Sequence, residues 1–419
     1  MTSVRTVLKN SAILITTRIV TKVATTFLMI YIARKLGDSE FGIYSSILVF
    51  VALFGLIEEC GLTVPLIRRI ARHESPPSNL LGEVFFLKLL LSVPAFACLL
   101  CATFWIGSST PVVLVFGVCM VLEVLNVSVV RSFEGVETMR HISTVTIIER
   151  VTLCAGGVMV LYLGGALLAF AFVQLFSDTL SLGVAMVLWR RDHQQLKMSI
   201  SFSRAKVLVI EAIPFAVAGL FSVIYNRVDT LILMGTRTSS EVGWYNAAFR
   251  ITDALLFIPT AIVASVFPVL SRSFSASRDD FVAMYGKFLF ILIGVGVVIG
   301  AVTFSFSAYI ILHLYGKSFS NAIDALAILS FMVPFFFSNV FLGYALIAIQ
   351  KERHSTAAII AGALVNTALN LALVWKYGEY GSAVAKVLTE VFSFALQLYF
   401  FHRVIEFGGT YTAWLKKKQ

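Results

Sequence analysis

The feature that most constrains this chain is a succession of apolar runs, each about as long as a bilayer is thick. They lie at Ser11 to Ala33, Phe41 to Ile57, Gly82 to Trp105, Pro111 to Val130, Ser143 to Leu163 and Ala166 to Trp189. Six more follow at Val207 to Gly235, Val242 to Leu270, Phe288 to Leu312, Ala322 to Ile349, Thr356 to Trp375 and Gly381 to Phe401. A helix rises 1.5 Å per residue, so about 20 residues cross a hydrocarbon core about 30 Å thick. The runs read as helices, because hydrocarbon holds no water to satisfy backbone N–H and C=O groups. A barrel would instead show alternating segments of about ten residues. The expected fold is an all-α polytopic membrane protein of about 12 transmembrane helices in two six-helix lobes. Composition agrees: 58% of the 419 residues are hydrophobic and 13% charged, against about 45–50% and 25% in a soluble domain. No room is left for an aqueous catalytic domain. The first run is too long for a signal-peptide core and is expected to stay in the protein.

The formal charge of +10 reports orientation through its distribution. With the N-terminus inside, the inner loops hold 21 of the 33 Lys and Arg, among them Arg68, Arg69, Arg72, Arg190, Arg191, Lys197 and Lys416 to Lys418. The outer loops hold only Arg34, Lys35, Arg237, Lys317 and Lys376. Both termini are therefore expected in the cytoplasm. Trp105, Trp189 and Trp375 fall at expected helix ends, as interfacial aromatics do. The five cysteines lie in or beside apolar runs and read as small buried hydrophobes.

Internal repetition sets the organisation. Ser39-Glu40-Phe41-Gly42-Ile43-Tyr44 opens the second run and Ser240-Glu241-Val242-Gly243-Trp244-Tyr245 the eighth, 201 residues later. Pro65-Leu66-Ile67-Arg68-Arg69 has a counterpart in Pro268-Val269-Leu270-Ser271-Arg272, and Met139-Arg-His-Ile-Ser143 in Glu352-Arg-His-Ser355. Two copies of six helices run in the same direction, so their pseudo-twofold lies along the membrane normal. The expected layout is a lobe over 1–189, a basic linker over 190–206, a second lobe over 207–402 and a basic tail over 403–419.

Charged side chains at mid-bilayer are costly, about 2.5–3.5 kcal/mol on insertion scales, so they face protein or water and mark function. Arg18 and Lys22 form an i,i+4 pair on one face of the first run. With Lys88 they are not neutralised within their own runs, which points to a polar route for an anion. Arg227 with Asp229, Arg250 with Asp253, and Lys386 with Glu390 read first as pairs that fix helix register. Glu149 and Arg150, about 100° apart on a helix, are not expected to neutralise each other. Pro94, Pro214, Pro259 and Pro334 fall within runs and are expected to kink them. Gly296-x-x-x-Gly300 suits a close helix contact.

No P-loop is present, so nothing in the chain uses ATP. The six histidines stand singly, without metal-ligand spacing. No catalytic group, cofactor or metal site is expected, and no nucleic acid partner. The longest loop is the 17-residue stretch Arg190 to Lys206, too short for a glycan-assembling enzyme, so transport is the simpler reading.

The stretch Lys9 to Arg72 is similar to the opening of the Wzx-type lipid-linked oligosaccharide flippases of the multidrug/oligosaccharidyl-lipid/polysaccharide exporter superfamily. Ile213 to Arg272, with Tyr225-Asn226-Arg227-Val228-Asp229 and Phe267-Pro268, resembles that family's second-half opening, and Gly343 to Glu390 its last three spans. The resemblance implies two lobes in a V around a central cavity, alternating access, and a substrate made of a sugar chain on a polyprenyl pyrophosphate. It implies membrane lipid as a partner, with a glycan polymerase and glycosyltransferases beside it, in the plasma membrane of a prokaryote. A cationic cavity for the pyrophosphate follows, to which Arg18, Lys22, Lys88 and Arg250 are assigned on charge and depth. Glu123, Glu149 and Asp178 are candidates for binding a coupling ion. The alternatives are an ion-coupled drug or small-metabolite exporter of the same superfamily, a glycan-assembling membrane enzyme, or a scaffold.

Overall fold

A computed structural model describes residues 4–103, 110–193, 196, 198 and 202–416. The side chains of 4–15, 18, 202, 203, 275, 278 and 404–416 are outside that description. Trp105, Lys197 and Lys417 to Lys418 therefore lie outside the described residues, as do the side chains of Arg18 and Lys416.

The described residues are helical almost throughout. The first helix, Val4–Glu59, is broken at Gly37, whose φ of 83° is left-handed; its parts are α1 (4–36) and α2 (38–59). There follow α3 (Thr63–Ala71), α4 (Pro77–Cys101), α5 (Thr110–Gly135), α6 (Met139–Tyr162), α7 (Leu167–Asp192) and α8 (Phe202–Thr236). The second half holds α9 (Ser239–Leu255), α10 (Phe257–Ala276), α11 (Arg278–Ser305), α12 (Ser307–Leu314), α13 (Ala322–Ser330) and α14 (Val333–Ala348). The last helix, Glu352–Lys416, is broken at Gly378 (φ 56°) into α15 (352–377) and α16 (379–416).

Among the described residues nine helical segments are long and apolar enough to span a membrane. Two of these, Ile19–Glu59 and Glu352–Arg403, have 41 and 52 residues, about twice what a bilayer needs, and each carries its glycine break near the middle. The pair α13 and α14, bent by 50°, makes one further span. Counting each broken helix as two crossings gives the expected twelve, in an all-helical fold. Each helix is interrupted by a single residue in the left-handed region, a conformation that only glycine adopts at no cost. Arg237 secures the second break, donating from Nε and Nη2 to the carbonyl of Val374 and from Nη2 to that of Trp375 at 2.7 Å.

The prolines divide into two kinds. Pro94 and Pro214 lie inside α4 and α8, whereas Pro259 and Pro334 fall in the first turns of α10 and α14. In a first turn the missing N–H costs no hydrogen bond, so these two follow breaks already present. The Gly296/Gly300 contact is confirmed, and its partner is the bend between α13 and α14. A Cβ at Gly296 would lie 2.7 Å from Pro334 Cα, and one at Gly300 2.9 Å from the Ser330 carbonyl oxygen.

The chain forms two compact units, Met1–Val223 with Thr238–Gly243, and Ile224–Arg237 with Trp244–Gln419. The division falls inside α8 rather than at the 190–206 stretch, because the start of α8 is tied to the first unit. Arg204 Nη1 meets Glu83 Oε1 at 2.7 Å, and Arg69 Nη2 meets Glu211 Oε1 at 2.9 Å. A Cβ at Gly61, left-handed at φ 69°, would lie 2.5 Å from the Ala212 carbonyl oxygen. The first unit's core gathers Leu66, Leu81, Phe133, Val145 and Trp189. Trp189 is wholly buried against Phe133 and His193, not interfacial as expected, while Trp375 is exposed. Cys119 is buried, but Cys98 and Cys101 are exposed on α4 and so correct the reading of all five as buried. The second unit's core gathers Val263, Phe281, Tyr285, Phe341, Leu346 and Phe401.

The repeats extend from residue letters to backbone. At Glu137 (φ 62°) and Gln350 (φ 59°), two residues before α6 and α15, non-glycine residues adopt the left-handed conformation. Thr138 N–H bonds Phe133 C=O and Glu137 N–H bonds Glu134 C=O; Lys351 and Gln350 repeat both bonds to Leu346 and Ile347. The same motif also ends α3 at His73 and α6 at Gly164, so it is a helix stop used at four helix ends among the described residues.

Candidate functional site

In the first unit α1, α5 and α6 enclose a polar cavity of about 240 Å³. Its polar wall consists of Thr17 from α1, Glu123, Asn126, Arg131 and Glu134 from α5, and Thr146, Glu149 and Arg150 from α6; Val127, Val130 and Ile142 complete it. Helical spacing explains the wall: Glu123, Asn126, Val127, Val130, Arg131 and Glu134 recur at three- and four-residue intervals and so share one face of α5.

Glu149 is the most connected of these groups. Its Oε1 lies 3.1 Å from Arg150 Nη2, so the adjacent pair does make an ion pair, contrary to expectation. The long guanidinium stem bridges the angle that separates the two Cβ atoms. Glu149 Oε2 faces Asn126 Nδ2 and Ser181 Oγ at 3.5 Å, and Asn126 Nδ2 donates to Ser181 Oγ at 2.7 Å. The Ser177 hydroxyl donates to the Glu149 carbonyl at 2.7 Å, fixing α7 against α6. Arg131 pairs with Glu134. Asp178, buried on α7, accepts a hydrogen bond from Gln174 Nε2 at 2.8 Å. Among the described residues, three carboxylates (Glu123, Glu134, Glu149) thus face two guanidiniums across the cavity, with Asp178 a further acid behind the wall. The surplus is negative, which suits a cation or a proton and not a phosphate.

The structure therefore brings Glu123 and Glu149 together in one cavity and places Asp178 one helix away. It does not bring Lys22, Lys88 or Arg250 into it. Lys22 is exposed on α1 and absent from the cavity wall; the Arg18 side chain lies outside the described residues. Arg250 belongs to the second unit. Lys88 is the correction: it is wholly buried, paired with Glu59, and donates to Thr63 Oγ1 at 3.0 Å. The partner missing from its own run comes from the end of α2, so Lys88 offers no charge to an anion here. Glu59 sits at a run's edge, where sequence spacing gives no pairing signal.

The second unit holds a larger buried polar network that the sequence shows only as charge pairs. Lys386, buried and i,i+4 to Glu390, lies 3.7 Å from its Oε1, as expected of a register pair. The Lys386 ammonium also donates to the Tyr225 carbonyl at 3.0 Å and stands 4.5 Å from the Tyr225 ring. Tyr225 Oη donates to Glu390 Oε1 at 2.9 Å, and Asn339 Nδ2 donates to Glu390 Oε2 at 2.8 Å. Asp229 is buried and accepts from Tyr245 Oη, a partner that expectation had assigned to Arg227.

Nine or ten membrane-spanning helical segments among the described residues, a repeated sequence plan and titratable groups enclosed between the helices define the class: a polytopic membrane carrier. The family model for polysaccharide biosynthesis protein matches residues 7–274, and the chain belongs to that family. The MatE model matches residues 214–372. Among curated relatives, the probable low-salt glycan biosynthesis flippase Agl15 of Haloferax volcanii is 23% identical over 86% of this chain and 76% of its own. Among solved structures, the lipid II flippase MurJ in an inward closed conformation has a TM-score of 0.74 at 16% identity, over 93% of this chain and 87% of its own. An inward-facing multidrug resistance MATE transporter has a TM-score of 0.77 at 14% identity, over 92% and 94%.

Proposed function

We propose that the protein is a flippase that carries polyprenyl-pyrophosphate-linked oligosaccharide from the cytoplasmic to the outer leaflet by alternating access, for surface polysaccharide biosynthesis. The observation that carries this reading is the family match through residues 7–274, in a chain whose apolar runs leave no aqueous domain for bond-forming chemistry. No bond is made or broken, so the protein is not an enzyme. The anionic head enters from the inner leaflet while the polyprenyl tail stays in lipid. An inside-negative potential favours outward movement of the anionic head by about 2.3 kcal/mol per elementary charge per 100 mV, and cations beside the phosphates offset the cost of bringing that charge into the membrane. Arg18, Lys22 and Arg250 are the residues proposed to accompany the pyrophosphate. Lys88, already neutralised by Glu59, is set aside. Glu123 and Glu149, with Asp178 behind them, bind the coupling ion.

The excess of basic residues in alternate loops supports cytoplasmic termini in a prokaryotic plasma membrane. A glycan polymerase and glycosyltransferases, which make and extend the substrate, are the proposed neighbours.

The test is the amount and sidedness of polyprenyl-linked oligosaccharide in cells lacking the protein. Complete precursor trapped on the cytoplasmic face, with loss of surface glycan, supports the flippase. Failure of precursor to form would place the protein in assembly. The MatE match and the negative surplus in the first unit's cavity favour one second reading, an ion-coupled exporter of cationic small molecules. Unchanged precursor and surface glycan, in cells with no redundant flippase, would move the reading there.

A further inference from the structure

One buried acid has no part in that mechanism. Glu58, the penultimate residue of α2, is wholly buried, and neither carboxylate oxygen has a hydrogen-bond partner among the described residues. Beside it Glu59 and Lys88 form their ion pair. Lys88 also donates to Thr63 Oγ1, and Glu59 Oε1 accepts from Thr63 N–H at 3.1 Å. The lysine's charge is thus already matched. The charged groups acting on Glu58 are Glu59 of its own helix, Lys88 of α4 and Glu123 of α5. With all of these ionised, two carboxylates share one ammonium at this corner, and Glu123 adds repulsion. A buried ionised carboxylate without a hydrogen-bond partner is far costlier than the neutral acid.

We propose that Glu58 is a proton-binding site, occupied by one proton in this conformation. The corner it occupies is closely built. Cys60 and Gly61 turn the chain into α3 with φ of 44° and 69°, and Gly61 abuts the backbone of α8 at Ala212 and Ala216. Ionising Glu58 requires this corner to admit water or a second cation, so proton release is tied to its rearrangement. The inference stands whatever the transported substrate is.

The test is infrared difference spectroscopy on the purified full-length protein in lipid, comparing wild type with Glu58→Gln. The expected result is loss of one carboxylic-acid carbonyl stretch at neutral pH, with Glu352→Gln, on the surface of the second unit, leaving that band intact. Loss of a carboxylate stretch instead would show Glu58 ionised and overturn the proposal. Stability gives a second reading. Glutamine imitates the neutral acid, so the variant is expected to match wild type below about pH 4, where a glutamate in the unfolded chain is also protonated, and to exceed it increasingly as pH rises from there. A variant that folds poorly at every pH would show that the charge is required and would also overturn the site.

Discussion

Gly42 and Gly243, equivalent residues of the two sequence repeats, each press on the chain just ahead of the other's helix turn. A Cβ on Gly42 would lie 1.8 Å from the Ser239 carbonyl oxygen, and one on Gly243 would lie 2.1 Å from that of Asp38. Both obstacles are backbone and cannot rotate away. Gly42→Ala and Gly243→Ala are each expected to cost about 1–3 kcal/mol, the ordinary penalty of overpacking. Thermal unfolding of the purified variants, with Gly286→Ala as a control in open space, checks this.

Breaking the buried Lys88–Glu59 pair from one side should be worse than removing it. Lys88→Met leaves a carboxylate near a second buried acid and is expected to cost about 3–5 kcal/mol, with the Lys88→Met, Glu59→Gln double variant recovering part of the loss. A double-mutant cycle in denaturant, read as a non-zero coupling energy, measures it. Transport by the double variant is expected to survive, since neither residue is assigned to the substrate.

Lys22 lies exposed on α1, and its charge is the proposed contact with pyrophosphate. Lys22→Glu is expected to abolish transport at normal protein levels, with lipid-linked precursor held on the inner leaflet. Activity equal to wild type removes it from the site.

Glu149→Gln keeps the size of the cavity wall and one hydrogen-bond acceptor but removes the charge. Ion-driven transport is expected to fall about 5- to 150-fold, the usual range of coupling between sites, while downhill movement of substrate persists. Flux measured with and without an imposed proton or sodium gradient separates the two. An equal fall in both would assign Glu149 a structural role.

Glu137 and Gln350 hold a conformation that costs an L-residue about 1–2 kcal/mol. Glu137→Gly and Gln350→Gly should therefore be neutral or stabilising by up to about 1 kcal/mol, against the usual direction of glycine substitution in a helix. The melting temperatures of both variants settle the sign.

The crossings were legible because hydrocarbon forces a long apolar run for each, and the duplication was legible at Phe41-Gly42 and Val242-Gly243 because close packing keeps the glycine. The breaks were legible as gaps between runs, at 34–40 and 376–380, but not that each narrows to one glycine, Gly37 or Gly378, with helix on both sides, since nothing in glycine's letter distinguishes a one-residue break from a loop. Depth alone suggested Lys88 as an anion contact, yet its partner Glu59 is 29 residues away on another helix, and no spacing rule reaches that far. Glu58 escaped notice for a related reason: beside Glu59 at the end of an apolar run it resembles an ordinary solvated edge, and only three-dimensional packing closes water out. Glu149 and Arg150 failed for the opposite reason, because helical angle is a property of Cβ atoms and a guanidinium reaches past it.

Gly42 meets the Ser239 carbonyl and Gly243 that of Asp38 inside one compact unit, which the short segment Thr238–Gly243 joins. The two matching hexapeptides therefore lie against each other, and each glycine is the other's clearance. A side chain at either position would push apart the same two helix starts, so the two glycines answer to one shared constraint. The residues flanking them carry no such burden, and Phe41 and Ile43 stand in one hexapeptide where Val242 and Trp244 stand in the other.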